Sequence, residues 1–121
     1  MPDIQLSDPS GVCINQQGNI VVADTGNHQI QVFRSDGSFL HKFGSQGNSD
    51  GQLSPPRGVC IDQQDNIVVA DTDNYRIQVF RPDGSFLCKF DKDLKNPRSV
   101  CIDKERFFIV TDSKSVQKVI F

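Results

Sequence analysis

No run in this 121-residue chain is long and apolar enough to cross a bilayer, and Met1-Pro2-Asp3-Ile4-Gln5-Leu6 has neither the basic nor the apolar part of a secretory signal. The expectation is a cytoplasmic protein with no membrane role. A strong charge of one sign is also missing: 13 Lys and Arg against 15 Asp and Glu leave a net charge of −2, and the basic residues are scattered among the Asp. That excludes the dense basic stripe that phosphate neutralisation along a nucleic acid usually demands. With only two histidines, His28 and His41, in different segments, a zinc or catalytic histidine cluster lacks its members. Helical periodicity is missing too, since apolar residues fall in adjacent runs or at every second position and nowhere at i, i+3, i+4, i+7. The four cysteines do not read as a disulfide framework. Cys13, Cys60 and Cys101 occupy one repeat position inside an apolar run, where small buried hydrophobes are expected, and Cys88 replaces His41 at a position expected to face solvent.

What is present is repetition. Residues 9–44 align with residues 56–91 without a gap, and across those 36 positions only nine differ. A third, degraded copy covers residues 97–121. The offset is 47 residues from Cys13 to Cys60 and 41 from Cys60 to Cys101, periods that belong to propellers or solenoids. The chain therefore divides into an N-terminal segment (1–8), a first repeat (9–44), a linker (45–55), a second repeat (56–91), a short linker (92–96) and a partial third repeat (97–121).

Each full copy holds four short extended runs separated by turn signals. Val12-Cys13-Ile14 opens the first, after Pro9-Ser10-Gly11 has ended what precedes it. Ile20-Val21-Val22-Ala23 is a continuous β-branched run, the mark of a strand covered on both faces. Asp24-Thr25-Gly26-Asn27 is a tight turn in which Gly and Asn are expected to take positive φ. A third strand over 29–34 alternates Gln with Ile and Val. Asp36-Gly37 is a hairpin signal, and a fourth strand over 39–43 follows. A four-stranded antiparallel meander that is apolar on both faces must stack against copies of itself. Radial stacking of such sheets is a β-propeller, so the fold class is all-β: two full four-stranded blades and part of a third.

The run Gly18-Asn19-Ile20-Val21-Val22-Ala23-Asp24-Thr25-Gly26-Asn27-His28-Gln29-Ile30-Gln31-Val32-Phe33 and its second copy over 65–80 closely resemble the NHL repeat. The second copy restores the usual Arg before Ile77, and the long linker resembles that family's inter-blade connection. The third copy departs, with Ser115 for the turn Asn and Lys118 for the Ile, and Phe121 aligns with Phe80. The resemblance implies about half of a six-bladed ring. It also implies a place among tripartite-motif NHL proteins, whose RING and B-box zinc-ligand spacing does not occur in these residues. The N-terminal segment, through Ile4-Gln5-Leu6, is expected to supply the closing outer strand of a last blade. Closure would come either from a second chain joined head to tail or from the remainder of a longer protein.

Asp24, Asp71 and Asp112, with Asn27 and Asn74, read as structural turn formers, since no second ligand type repeats with them. No catalytic residue, metal or cofactor is expected. Ser10, Ser38 and Ser85 lack a partnered His, the cysteines lack a basic neighbour, and the His and carboxylate sets of propeller lyases and lactonases are missing. Differences between copies gather in the loops, at Ser10/Arg57, Gly26/Asp73, His28/Tyr75 and Gln29/Arg76, which fits either recognition or mere tolerance. A protein partner would use Tyr75 and Arg76, with His28 beside them. Single-stranded RNA would use Arg57, Arg98 and Arg76, against the opposition of Asp50, Asp71, Asp73 and Asp91.

Overall fold

The computed structural model describes residues 5–119. It contains three antiparallel sheets in chain order. The first blade is β1 (Pro9–Ile14), β2 (Ile20–Asp24), β3 (Gln29–Phe33) and β4 (Phe39–Phe43). The second is β5 (Pro56–Ile61), β6 (Ile67–Asp71), β7 (Arg76–Phe80) and β8 (Phe86–Phe90). The third blade is β9 (Ser99–Ile102), β10 (Phe108–Thr111) and β11 (Val116–Val119). Every sheet is a simple meander, and the first strand of each blade lies against the first strand of the next. Such an arrangement of innermost strands is that of a propeller segment.

The second-strand run faces both ways, as its unbroken apolar character requires. Ile67 and Val69 point back into a core shared with Val21, Ala23, Ile30 and Val32 of the first blade. Val68 and Ala70, one residue out of phase, join Ile77 and Val79 in a second core with Val100, Phe108 and Val110 of the third. Each inter-blade core is plugged by one linker leucine, Leu53 or Leu94. Aromatic contacts cross the same seams, Phe43 to Phe80 at 4.9 Å and Phe90 to Phe108 at 5.3 Å. The outward faces of the end blades have no such cover. Val12 is 66% exposed where its counterpart Val59 is 7%, and Val116 is 70% exposed.

Several local expectations need correction. Pro9-Ser10-Gly11 does not end a preceding element. It begins β1, with a bulge between Pro9 and Gly11 that is repeated between Pro56 and Gly58. The tight turn is one turn of 3-10 helix, Thr25–Asn27 and Thr72–Asn74, and its left-handed residue is His28 or Tyr75 (φ 55° and 57°). Those positions close the turn, each donating its N–H to the Thr carbonyl. Residues 1–4, including Ile4 of the expected closing strand, lie outside the described residues. Residues 5–8 form no strand. Ser7 N–H donates to Asp24 Oδ1 at 2.7 Å, as Ser54 N–H donates to Asp71 Oδ1 at 2.7 Å, so Ser7 serves the first blade as Ser54 serves the second.

The third blade pairs in a register two residues tighter than the sequence alignment implies. Val69 pairs with Gln78, but its counterpart Val110 pairs with Gln117 rather than with residue 119. Structurally Val116 replaces Ile77 and Gln117 replaces Gln78, so Lys118 is not the substitute for an Ile. Ser115 then faces Asp112 where Arg76 faces Asp71, so the two missing residues fall within the turn that corresponds to 72–75. Phe121 lies outside the described residues. A shift of two keeps the same face of the strand turned inward, which is why the tighter hairpin is tolerated.

The cysteines also differ from expectation. Cys13 and Cys60 are half-buried against the two cores, while Cys101, at the uncovered end, is exposed. Cys88 is half-buried against the second core rather than facing solvent.

Candidate partner-binding face

Asp71 at the end of β6 pairs with Pro56 at the start of β5, so the 3-10 turn and the opening of the inner strand share one end of the blade. The turn presents Tyr75 and the inner strand presents Arg57. Tyr75 is 52% exposed, held in the left-handed conformation by the turn it closes. His28, its counterpart, is half-buried, and its Nδ1 has no hydrogen-bond partner.

Arg76 does not belong to this surface. It is 4% exposed, and its Nε donates to Asp71 Oδ2 at 2.7 Å. Its remaining donors reach the linker carbonyls of Asn48 (3.2 Å), Ser49 (3.0 Å) and Gln52 (2.8 Å). A planar guanidinium can satisfy one carboxylate and several carbonyls at once, and here it fastens the long linker over the blade. The expectation that Arg76 contacts a partner is therefore corrected: it is an internal cross-brace.

Asp71 is the hub of that brace. Fully buried, it accepts from Ser54 N–H, Asn74 Nδ2, Arg76 Nε and Gln78 Nε2. Asp24 accepts from Ser7 N–H, Asn27 Nδ2 and Gln31 Nε2, and has no cationic partner among the described residues, since Gln29 stands at the Arg76 position. Asp112 sits in the shortened turn of the third blade. The backbone N–H groups of Lys114 and Ser115 hold its carboxyl below the usual carboxylate range. No group of three or more metal-ligating side chains is gathered among the described residues.

Two residue types in this end of the blade carry roles not anticipated from sequence. Thr25 and Thr72 are buried, and each hydroxyl donates at 2.7 Å to a carbonyl at the entry to the next inner strand, Pro56 at the start of β5 or Pro97 ahead of β9. Gln78, fully buried, spans from Asp71 to the linker at Gln52 O and Gly51 N–H. The available signal was their identity in both full copies, with Gln alternating among apolar residues on an otherwise buried strand.

Arg57 in β5 and Arg98 just before β9 occupy the same repeat position and, with Ser10, line a groove of about 360 Å³ beside the inner strands. Arg57 is half-buried and Arg98 exposed. Acidic residues stand in the loops of the second blade: Asp73 in the turn, Asp50 paired with Lys89 at 2.9 Å, and Asp91 at the end of the second repeat.

Comparison with known proteins agrees with this geometry. A family model described as the NHL repeat matches residues 6–33 and 53–80. Protein brain tumor of Drosophila melanogaster is 50% identical over 46 residues, 38% of this chain and 4% of that protein. B-box type zinc finger protein ncl-1 of Caenorhabditis elegans is 63% identical over 35 residues, 29% of this chain and 4% of that protein. E3 ubiquitin-protein ligase TRIM71 of Xenopus tropicalis is 45% identical over 40 residues, 33% of this chain and 5% of that protein. The matches thus span a small fraction of the relatives' own length. Among solved structures, a virginiamycin B lyase of Staphylococcus aureus superposes with a TM-score of 0.78 at 15% identity, covering 98% of this chain and 40% of the lyase. At that identity the likeness concerns the fold alone.

Proposed function

From a chain that carries NHL repeats arranged as a β-propeller segment, we propose a non-catalytic recognition scaffold of the cytoplasm, which binds a protein partner through the end of the blades that bears Tyr75. The observation that carries this reading is the contrast within one turn. Asp71, Thr72, Asn74 and Arg76 are bound to the fold itself, which leaves Tyr75 half-exposed on a braced, left-handed corner. A rigid aromatic on a fixed support is the residue type that dominates interface energetics. In a parent protein of the tripartite-motif kind this face would select substrates for a ubiquitin ligase whose chemistry lies outside these residues. The E3 ubiquitin-protein ligases among the relatives support that role.

Affinity capture with the wild-type chain and Tyr75→Ala tests the reading. The variant is expected to keep its fold by circular dichroism and to lose the proteins the wild type retains; identical captured sets would overturn it. Single-stranded RNA is the second reading, supported by the guanidinium groups of Arg57 and Arg98, unpaired among the described residues, and opposed by the acidic residues of the blade loops. RNA binding would weaken steeply with added salt.

The apolar end faces at Val12, Ile14 and Val116 belong, in this proposal, against further blades, from the rest of a longer chain or from a second copy joined head to tail. Sedimentation of the 121-residue chain decides the second option: a folded monomer at micromolar concentration defeats it.

A further inference from the structure

We propose that the groove between Arg57 and Arg98 is a carboxylate-binding site, which takes an Asp or Glu side chain of an acidic peptide segment. The proposal rests on the reading that this end of the blades is a recognition face, and it names the chemistry of the contact.

The two arginines are brought together by the repeat. They stand at equivalent repeat positions, Arg57 in β5 and Arg98 immediately before β9, and those strands pack with no room for a side chain between them. A Cβ on Gly58 would lie 2.5 Å from Arg98 O, and one on Gly11 would lie 2.4 Å from Arg57 O. Ser10, the third member, is turned onto the scaffold, with its Oγ 2.8 Å from Arg57 O and 2.6 Å from Thr25 Oγ1.

Three of the other arginines have acceptors within the fold, and Arg106 lies exposed in a loop. Arg34 and Arg81 donate to the carbonyls of Phe39 and Phe86, and Arg76 is fully engaged. Neither Arg57 nor Arg98 has an ion pair or a side-chain hydrogen bond among the described residues. Arg57 Nε is moreover buried without an acceptor. A buried donor left unmade is costly, and a group that offers lone pairs and negative charge relieves it.

The groove favours a carboxylate over a nucleic-acid backbone. Its volume of about 360 Å³ suits the end of one side chain, and it offers no aromatic platform for a base. A carboxylate, a fork-shaped anion, can meet a guanidinium edge with both of its oxygens.

Fluorescence anisotropy with a labelled hexaglutamate peptide, a hexaglutamine peptide and octauridylate at fixed salt tests the assignment on the full chain. The wild type is expected to bind hexaglutamate in preference to hexaglutamine. Arg57→Gln with Arg98→Gln should weaken hexaglutamate roughly tenfold or more, and Ser10→Arg, which adds a third guanidinium at the equivalent position, should tighten it. Equal binding of the two peptides, an unchanged double variant, or arginine-dependent octauridylate binding that displaces hexaglutamate would each overturn the site. If the double variant loses its fold, Ser10→Arg decides, and failure to tighten counts against the proposal. Failure here with capture still dependent on Tyr75 removes the anion site and leaves the recognition face; loss of both removes the face itself.

Discussion

Replacing Arg76 with Ala is the sharpest test of the internal architecture, because surface and interior readings of this residue predict opposite outcomes. In the folded chain its side chain is 5% exposed against a carboxylate that is fully buried. The substitution strips Asp71 of its only cation and leaves the carbonyls of Asn48, Ser49 and Gln52 without that donor. Removing one partner of a buried pair costs about 3–5 kcal/mol, chiefly through the charge left behind. The first blade supplies an internal reference for the lower end of that range, since buried Asp24 persists with three neutral donors and Gln29 in place of arginine. A loss of about 3 kcal/mol is therefore expected for Arg76→Ala, and about 1–2 kcal/mol for Arg76→Gln, which copies the first blade. With a urea dependence of about 2 kcal/mol per molar, the alanine variant should unfold roughly 1.5 M earlier. Urea titration followed by circular dichroism measures both. A midpoint unchanged by Arg76→Ala, together with lost partner capture, would refute the cross-brace and return the residue to the surface.

Other perturbations read different parts of the structure. Gly58→Ala places a methyl group 2.5 Å from Arg98 O and 2.8 Å from Ser99 Cα, both backbone atoms, so the second and third blades must separate. A cost of about 1–3 kcal/mol in urea unfolding is expected. Burial raises the thiols of Cys13 to about 11 and of Cys60 to about 12. Mass-spectrometric mapping of iodoacetamide adducts at pH 8 should therefore find exposed Cys101 modified ahead of both. Because the folded state holds those thiols neutral, their contribution to stability is complete below the ordinary thiol value and declines as pH rises toward the raised ones. Asp103 runs the other way: the N–H groups of Phe107 and Glu105, both at 2.9 Å, and the nearby Lys118 hold its carboxyl low. Its stabilising effect is present above the ordinary Asp value of about 3.9 and is lost as pH falls through the lower folded value. The amide signals of Phe107 and Glu105 should show that inflection in NMR spectra, and Asp103→Asn should abolish it.

The blades were legible because strand signals are local. A β-branched run flanked by Asp-Thr and Asn turns, written twice with few changes, leaves little choice of secondary structure. The need for both faces to be covered then leads to stacked sheets. The candidate site was less legible. Tyr75 and Arg76 are adjacent, polar-tipped and variable between copies, and sequence offers no reason to separate them. In the fold one lies half-exposed and the other buried, because successive residues across the end of the turn point in opposite directions, and the linker folds back over Arg76. The third blade misled the alignment for a related reason. A gap placed inside a degraded turn has no sequence signature, whereas the pairing of Val110 with Gln117 fixes it at once.

The sequence by itself determined the meanders, their number and the face each apolar residue serves, since those follow from turn chemistry, β-branching and a period of two along each strand. Only the tertiary structure decided which charged residues are spent inside and which remain free. The linker carbonyls that engage Arg76 lie 24 to 28 residues away in sequence, and the close approach that sets Arg57 beside Arg98 exists only once blades stack on their glycine edges. Long-range satisfaction of hydrogen-bonding groups is a property of the assembled chain, and it is what separates a brace from a binding residue.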